Sequence, residues 1–170
     1  MTYHSNAIEG NRLSLRETFL VLRKGMTIGG KTVQEHLEAT NHGEAIAVME
    51  KIARQKRIRE ADLLELHRVI LDKIKPAEAG KYRDGFGYIH GSTHQPPPAS
   101  EVLERMKRVV KEVNLRRRGL DAVVAAAKIH HDIEFAHPFF DGNGRFGRLV
   151  MNLKLMQSGF PPTLLRKTER

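Results

Sequence analysis

The chain has 170 residues, enough for one domain with a real core, and its 40% hydrophobic and 29% charged content is ordinary for a globular protein. It has no cysteine, which excludes disulfides and thiolate chemistry, and no run of roughly eighteen apolar residues, so no membrane span is expected. The formal charge of +9 points to an anionic partner, but aromatics are only 6% and do not interleave with the basic clusters, so a nucleic acid is not the expected one.

The first residues, Met1-Thr2-Tyr3-His4-Ser5, show no basic region followed by an apolar stretch, so no signal peptide is expected and a cytoplasmic location fits. Ser14-Leu15-Arg16-Glu17 is a capping box, in which the serine hydroxyl and the glutamate each satisfy one backbone N–H of the other. It predicts a helix to about Lys24, ended by Gly25. Thr32-Val33-Gln34-Glu35 repeats the signature and opens a long helix to about Gln55, with Leu37, Ala45, Val48, Met49 and Ile52 on its apolar stripe. A further helix is predicted from about Arg59 to Lys73, with Leu63, Leu66, Val69 and Ile70 inward and Pro76 just beyond.

Residues 80–98 break the helical pattern with four glycines and three consecutive prolines. Phe86-Gly87-Tyr88-Ile89-His90-Gly91 has strand-like residues punctuated by glycine, which predicts a short β-hairpin or extended flap. Ser100 begins a helix to about Arg118, stopped by Gly119. Asp121 begins an apolar one through Ala136, which Pro138 ends at His137. Arg145 to Ser158 form the next helix, with Gly159 and Pro161-Pro162 after it. The tight basic clusters, Arg54-Gln55-Lys56-Arg57 and Arg116-Arg117-Arg118, read as helix ends. The fold class is therefore all-α.

The chemistry concentrates in His137-Pro138-Phe139-Phe140-Asp141-Gly142-Asn143-Gly144-Arg145-Phe146-Gly147-Arg148. The loop runs into a helix N-terminus, where backbone N–H groups lack partners and the dipole favours an anion. The glycines let the backbone approach a phosphate. Asp141 is a hard oxygen ligand suited to Mg²⁺ between phosphates, and Arg145 and Arg148, one turn apart, can meet one polyphosphate. A neutral His137 can take a proton from an attacking hydroxyl. Together these parts suit phosphoryl or nucleotidyl transfer.

This run fits the Fic signature H-x-F-x-[DE]-G-N-G-R-x-x-R at every specified position, and the chain resembles the Fic family. Gly80-Lys81-Tyr82-Arg83 resembles the family's G-x-x-R element, and His130 matches a frequent family histidine. Met151-Asn152-Leu153 and Met156-Gln157-Ser158-Gly159-Phe160-Pro161-Pro162 resemble the metazoan chaperone-modifying branch. The resemblance implies a helical bundle with a hairpin flap beside the active-site loop. It implies a single Fic domain over 1–170, with an inhibitory segment at 1–13, the flap at 80–98 and the motif at 137–148. Further family helices that contact adenine would follow Arg170 and are not in this sequence.

By the same resemblance the protein transfers AMP from ATP, with Mg²⁺, to a Ser, Thr or Tyr hydroxyl of a target protein. His137 would be the base and Asp141 the metal ligand. Gly142, Asn143, Gly144 and Arg145 would cradle the α- and β-phosphates, and Arg148 would meet the γ-phosphate. Ser5-Asn6-Ala7-Ile8-Glu9-Gly10 fits the family's inhibitory motif [ST]-x-x-x-E-[GN]. In that resemblance Glu9 pairs with Arg148 and blocks the γ-phosphate site, with Ser5 seating the inhibitory helix. Ile89 and Gly91 fit the flap pattern that holds a target segment, whereas Gly87 stands where a branched apolar residue is common. A homodimer is also implied. Alternative readings are removal of AMP, transfer of another phosphate-bearing group such as phosphocholine, and a non-catalytic nucleotide-sensing module.

Overall fold

The structure is a computed structural model that describes residues 1–89 and 91–169; the backbone alone is described at Glu169. Its elements in chain order are α1 (Thr2–Ile8), α2 (Leu15–Lys24), α3 (Val33–Ala53), α4 (Glu60–Ile70), α5 (Ala99–Asn114), α6 (Gly119–Ala136) and α7 (Asn143–Gln157), then one 3₁₀ turn at Lys167–Glu169. Both capping boxes form. Ser14 Oγ accepts from the Glu17 N–H while Glu17 accepts from Ser14, and Thr32 and Glu35 do the same at the start of α3. Gly25 closes α2 at φ 62°, a left-handed conformation that costs glycine little.

The helix α7 lies at the centre. Asn143 and every residue from Arg145 to Leu155 are buried, so its sequence is not amphipathic but enclosed on all sides. Phe146, Leu149, Val150 and Leu153 pack with Ile129 and Ile133 of α6, Met49 and Ile52 of α3, Leu63 and Leu66 of α4 and Met106 of α5. Two of its buried polar residues tie it to neighbouring segments. Lys154 Nζ donates to the carbonyls of Val113 and Leu115 at the end of α5, and Asn152 bridges the Arg148 carbonyl and the Thr163 N–H. No helix among the described residues is long and apolar enough to cross a membrane.

The end of α4 and the junction of α5 with α6 depart most from the sequence expectation. The helix α4 stops at Ile70, because Asn41 on α3 donates its amide to the carbonyls of Ile70 and Asp72 and so draws the chain out of the helix. Gly119 begins α6 instead of stopping α5, and Arg118 is the α6 N-cap, so the Arg116–Arg118 cluster lies at a helix start, where the dipole does not favour cations. Arg117 pairs with Glu112 at 2.8 Å.

The predicted β-hairpin is also corrected: no strand forms among the described residues. The described residues of 81–98 form neither helix nor strand, with a bend at Asp84 and Gly85 and one turn in which the Ser92 N–H donates to the Ile89 carbonyl. Pro96–Pro98 supply no N–H groups for a ladder, and the segment's carbonyls at Gly85 and Pro97 are taken by Arg83. His90 of the expected flap lies outside the described residues.

Candidate active site

The motif loop begins where α6 ends. His137 caps α6 in a left-handed conformation, φ 44° and ψ 60°, as the following proline disfavours the helical region. Arg83, almost fully buried, fixes that corner. Its guanidinium donates to the carbonyls of Ala136 and His137 at the α6 C-terminus and to those of Gly85 and Pro97 in the segment before α5, while its backbone N–H donates to the Pro138 carbonyl. One cation thus ties the would-be flap to the motif loop at the negative end of a helix. A Cβ on Gly87 would stand 3.0 Å from Arg83 Nε, which explains glycine where a branched residue is common.

The loop is pinned from inside by Asn143. Its Oδ1 accepts from the Phe139 N–H at 2.9 Å and its Nδ2 donates to the Phe139 carbonyl at 2.8 Å. That ties both the oxygen and the nitrogen of the side chain to loop shape, while its backbone N–H lies in the first turn of the next helix. From below, His67 of α4 accepts from the Gly80 N–H at Nδ1, so its Nε2 carries the proton and donates to the Asp141 carbonyl at 2.9 Å. Its ring stacks on Phe139 with centroids 3.5 Å apart. Burial pushes His67 down to about 4, so this clamp is neutral at pH 7. Sequence reading missed His67, because on an apolar helix stripe a histidine carries no signal of the loop it will meet.

The helix α7 then starts with Gly142 as its N-cap at φ 76°. The Gly142 N–H is taken by Asp141 Oδ1 at 2.6 Å, and the first intrahelical bond runs from Phe146 to Gly142. The N–H groups of Asn143, Gly144 and Arg145 therefore form the first turn, an arrangement suited to an anion.

A carboxylate already lies there. Glu9 Oε1 is 2.7 Å from an Arg148 terminal nitrogen, and it approaches Gly144 so closely that a Cβ at that position would stand 2.3 Å away. Arg148 also donates from Nε to Ser5 Oγ at 2.9 Å and from its terminal nitrogen to the Ser5 carbonyl at 3.0 Å. The short helix α1 is held further by Asn6, which donates to the Glu38 carbonyl, and by Asn11, which donates to Glu38 Oε2 and to the Glu35 carbonyl.

His137, Asp141, Gly142, Asn143, Gly144, Arg148, Glu9 and Ile89 line one cavity of about 700 Å³, together with His130 and Glu134. Ser5 stands behind Arg148, Gly91 is exposed outside the cavity, and Arg145 is buried beneath it, 3.6 Å from Asp141 and 4.0 Å from Glu38. His137 is half-buried, and its Nδ1 has no hydrogen-bond partner among the described residues. Burial first, and Arg83 next, hold its imidazole below the ordinary value against the opposing charge of Glu9. Burial works against ionised Asp141, but the hydrogen bond from Lys75 at 2.8 Å and the charge of Arg145 outweigh it, so its carboxyl lies below the usual range.

The comparisons with known proteins show the family. Residues 57–155, more than half of the chain, match the Fic/DOC family profile. The chain belongs to the Fic/DOC family. Among curated relatives it is 38% identical over 172 residues to "Protein adenylyltransferase Fic" of Nematostella vectensis, covering 99% of this chain and 40% of that protein. It is 39% identical over 167 residues to "Protein adenylyltransferase fic-1" of Caenorhabditis elegans, covering 96% of this chain and 32% of that protein. This Fic chain therefore spans well under half the length of those relatives. Among solved structures it superimposes on Fic-1 from C. elegans with TM-score 0.88 and 36% identity, covering 98% of this chain and 50% of that one. A Fic-domain signaling protein from Bacteroides thetaiotaomicron gives TM-score 0.85 at 29% identity, covering 99% and 66%.

Proposed function

We propose that this Fic domain is an autoinhibited protein adenylyltransferase that moves AMP from ATP to a hydroxyl side chain of a target protein. The observation that carries the reading is the convergence, in one cavity, of a half-buried imidazole held below its ordinary value, an ionised carboxylate and a helix N-terminus beside which an internal carboxylate already lies. In this reading residues 1–13 are the inhibitory segment, 80–98 the target-holding segment and 137–148 the catalytic loop of one domain spanning 1–170.

The chemistry follows from the placement of the groups. The N–H groups of residues 143–145 receive α- and β-phosphate oxygens, and Arg148 receives the γ-phosphate once Glu9 has left it. Arg145, behind the loop, adds positive charge beneath the phosphates. The target hydroxyl oxygen attacks the α-phosphorus, its proton passes to His137, and the bond to the bridging oxygen breaks to release pyrophosphate. Held below its ordinary value, the His137 imidazole is in the unprotonated form that a base needs at pH 7.

Mg²⁺ fits this donor set. Among the described residues no group of three or more His, Cys, Asp or Glu side chains could hold a metal alone. One ionised carboxylate beside a phosphate cradle is nevertheless the usual form of a Mg²⁺ site completed by substrate oxygens and water. Asp141 would hold the ion, which would neutralise charge developing on the phosphates. The target segment would lie along 84–98, near Ile89 and Gly91, by main-chain pairing. The family resemblance also carries a homodimer, which light scattering tests.

The test is transfer of label from ATP by wild type, Glu9→Gly and the Glu9→Gly/His137→Ala double variant. Wild type should be slow, Glu9→Gly faster by at least about tenfold, the size of one charge-assisted contact, and the double variant silent. ATP binding by Glu9→Gly without any transferred label would overturn the reading.

A further inference from the structure

We propose that Lys75 is the resident counter-ion of the Asp141 cation site, holding the carboxylate oxygen that a divalent ion needs, so that metal arriving with nucleotide must first displace it. The inference rests on the reading of Asp141 as the metal ligand.

The two oxygens of Asp141 are not equivalent. Oδ1 accepts from the Gly142 N–H at 2.6 Å and faces Arg145 at 3.6 Å, so it belongs to the loop. Oδ2 has Lys75 Nζ at 2.8 Å. A Mg²⁺ sits at about 2.0–2.1 Å from its ligand oxygen and requires near-octahedral surroundings. An ammonium on the same oxygen would then be a close cationic neighbour of the metal, and the two charges repel. Oδ2 can serve one cation at a time.

The pairing is built into the backbone. Lys75 lies in the turn after α4, whose N–H groups at Ile74 and Lys75 donate to the Leu71 carbonyl. Asn41 holds the carbonyls of Ile70 and Asp72. The far end of the turn reaches the motif loop through Gly80, His67 and the Asp141 carbonyl. The position from which Lys75 extends is thus fixed relative to Asp141. Its tip is not: the side chain is 44% exposed, on a flexible four-carbon stem. A fixed base with a mobile charged tip suits a displaceable ion. Without a metal, Lys75 gives Oδ2 a cationic partner beside a cavity that also holds Glu9.

The test uses ATP binding by calorimetry in the Glu9→Gly background, titrated with Mg²⁺, with Mn²⁺ binding read by electron paramagnetic resonance. Lys75→Met should lower the Mg²⁺ concentration for half-maximal effect by about tenfold, the scale of one charge-assisted hydrogen bond, and leave metal-free ATP binding unchanged. Lys75→Arg, which keeps the charge, should keep the high midpoint. An unmoved midpoint in Lys75→Met overturns the proposal, as does a loss of metal-free ATP binding, which would make Lys75 a phosphate ligand. Asp141→Asn separates the two readings. If it leaves the metal dependence intact, both fall. If it abolishes that dependence while Lys75→Met does nothing, only the role of Lys75 falls.

Discussion

Glu9 and Arg148 are 139 positions apart in sequence, yet the carboxylate of one lies 2.7 Å from the guanidinium of the other at the first turn of α7. The contact has two halves. Glu9 supplies charge, and Ser5 aims the guanidinium by accepting from Nε and, through its carbonyl, from a terminal nitrogen. Removing only the hydroxyl should therefore weaken the proposed inhibition without abolishing it. Ser5→Ala loses one hydrogen bond to a charged group, about 1 kcal/mol in a site that keeps its other contacts, and should raise basal label transfer about fivefold. Glu9→Gly should exceed it. Equal rates for Ser5→Ala and wild type would mean that Ser5 does not seat Arg148.

The pH response follows from two histidines buried in their neutral form. Burial holds His67 down at about 4, and burial with the charges of Arg145 and Arg148 holds His42 down at about 3. In the unfolded chain both titrate near the usual 6.5. Between those values the unfolded state binds more protons, so stability is full above about pH 6.5 and is lost as pH falls toward 4. For His67 alone the loss is roughly 3 kcal/mol at the lower end. Urea unfolding at pH 7.5 and 5 should show a falling midpoint. His67→Gln, which cannot take up the proton, should flatten that slope, and an undiminished slope in it would remove His67 from the account.

Much of the fold was legible because it is local. Ser14 and Thr32 announce their helices through reciprocal hydrogen bonds within four residues, and Gly25 closes α2 through its own backbone freedom. The loop between α6 and α7 was legible for the same reason, since the residues from His137 to Arg148 lie in one short run. What escaped is set by partners distant in sequence. The early end of α4 depends on Asn41, 29 positions from Ile70. The Asp141 carbonyl is clamped by His67, 74 positions away. The hairpin failed on a different ground: alternating residue types suit a strand, but Arg83 and three prolines take away the groups a ladder would use. Asn143 was read as part of a phosphate cradle, and its side chain is occupied by Phe139.

Arg83 should affect protein substrate more than nucleotide. It satisfies four carbonyls drawn from two segments, and a lysine has one ammonium with three donors and no fork. Arg83→Lys should leave at least one buried carbonyl unpaired, cost ~2 kcal/mol and lower Tm by roughly 4–8 °C. With residues 84–98 loosened, transfer to a target should fall about tenfold, as expected when a positioning element loses its geometry. ATP affinity should stay within about twofold, because the first turn of α7 is held by other contacts. Parallel losses of both would show that Arg83 supports the nucleotide site directly.

Asn143→Asp tests whether that side chain belongs to the loop or to the ligand. The replacement has nearly the same shape and can still accept from the Phe139 N–H, but it cannot donate to the Phe139 carbonyl and sets two oxygens face to face in a site that is 2% exposed. Two effects oppose each other. A carboxylate at the first turn of α7 gains about 0.5–1 kcal/mol from the helix dipole. Losing the buried donor and meeting the facing carbonyl costs about 3 kcal/mol, so the loss wins by about 2 kcal/mol. The variant should melt roughly 4–8 °C lower even without nucleotide. If the melting temperature holds and only ATP binding weakens, Asn143 acts on the phosphates and not on the loop.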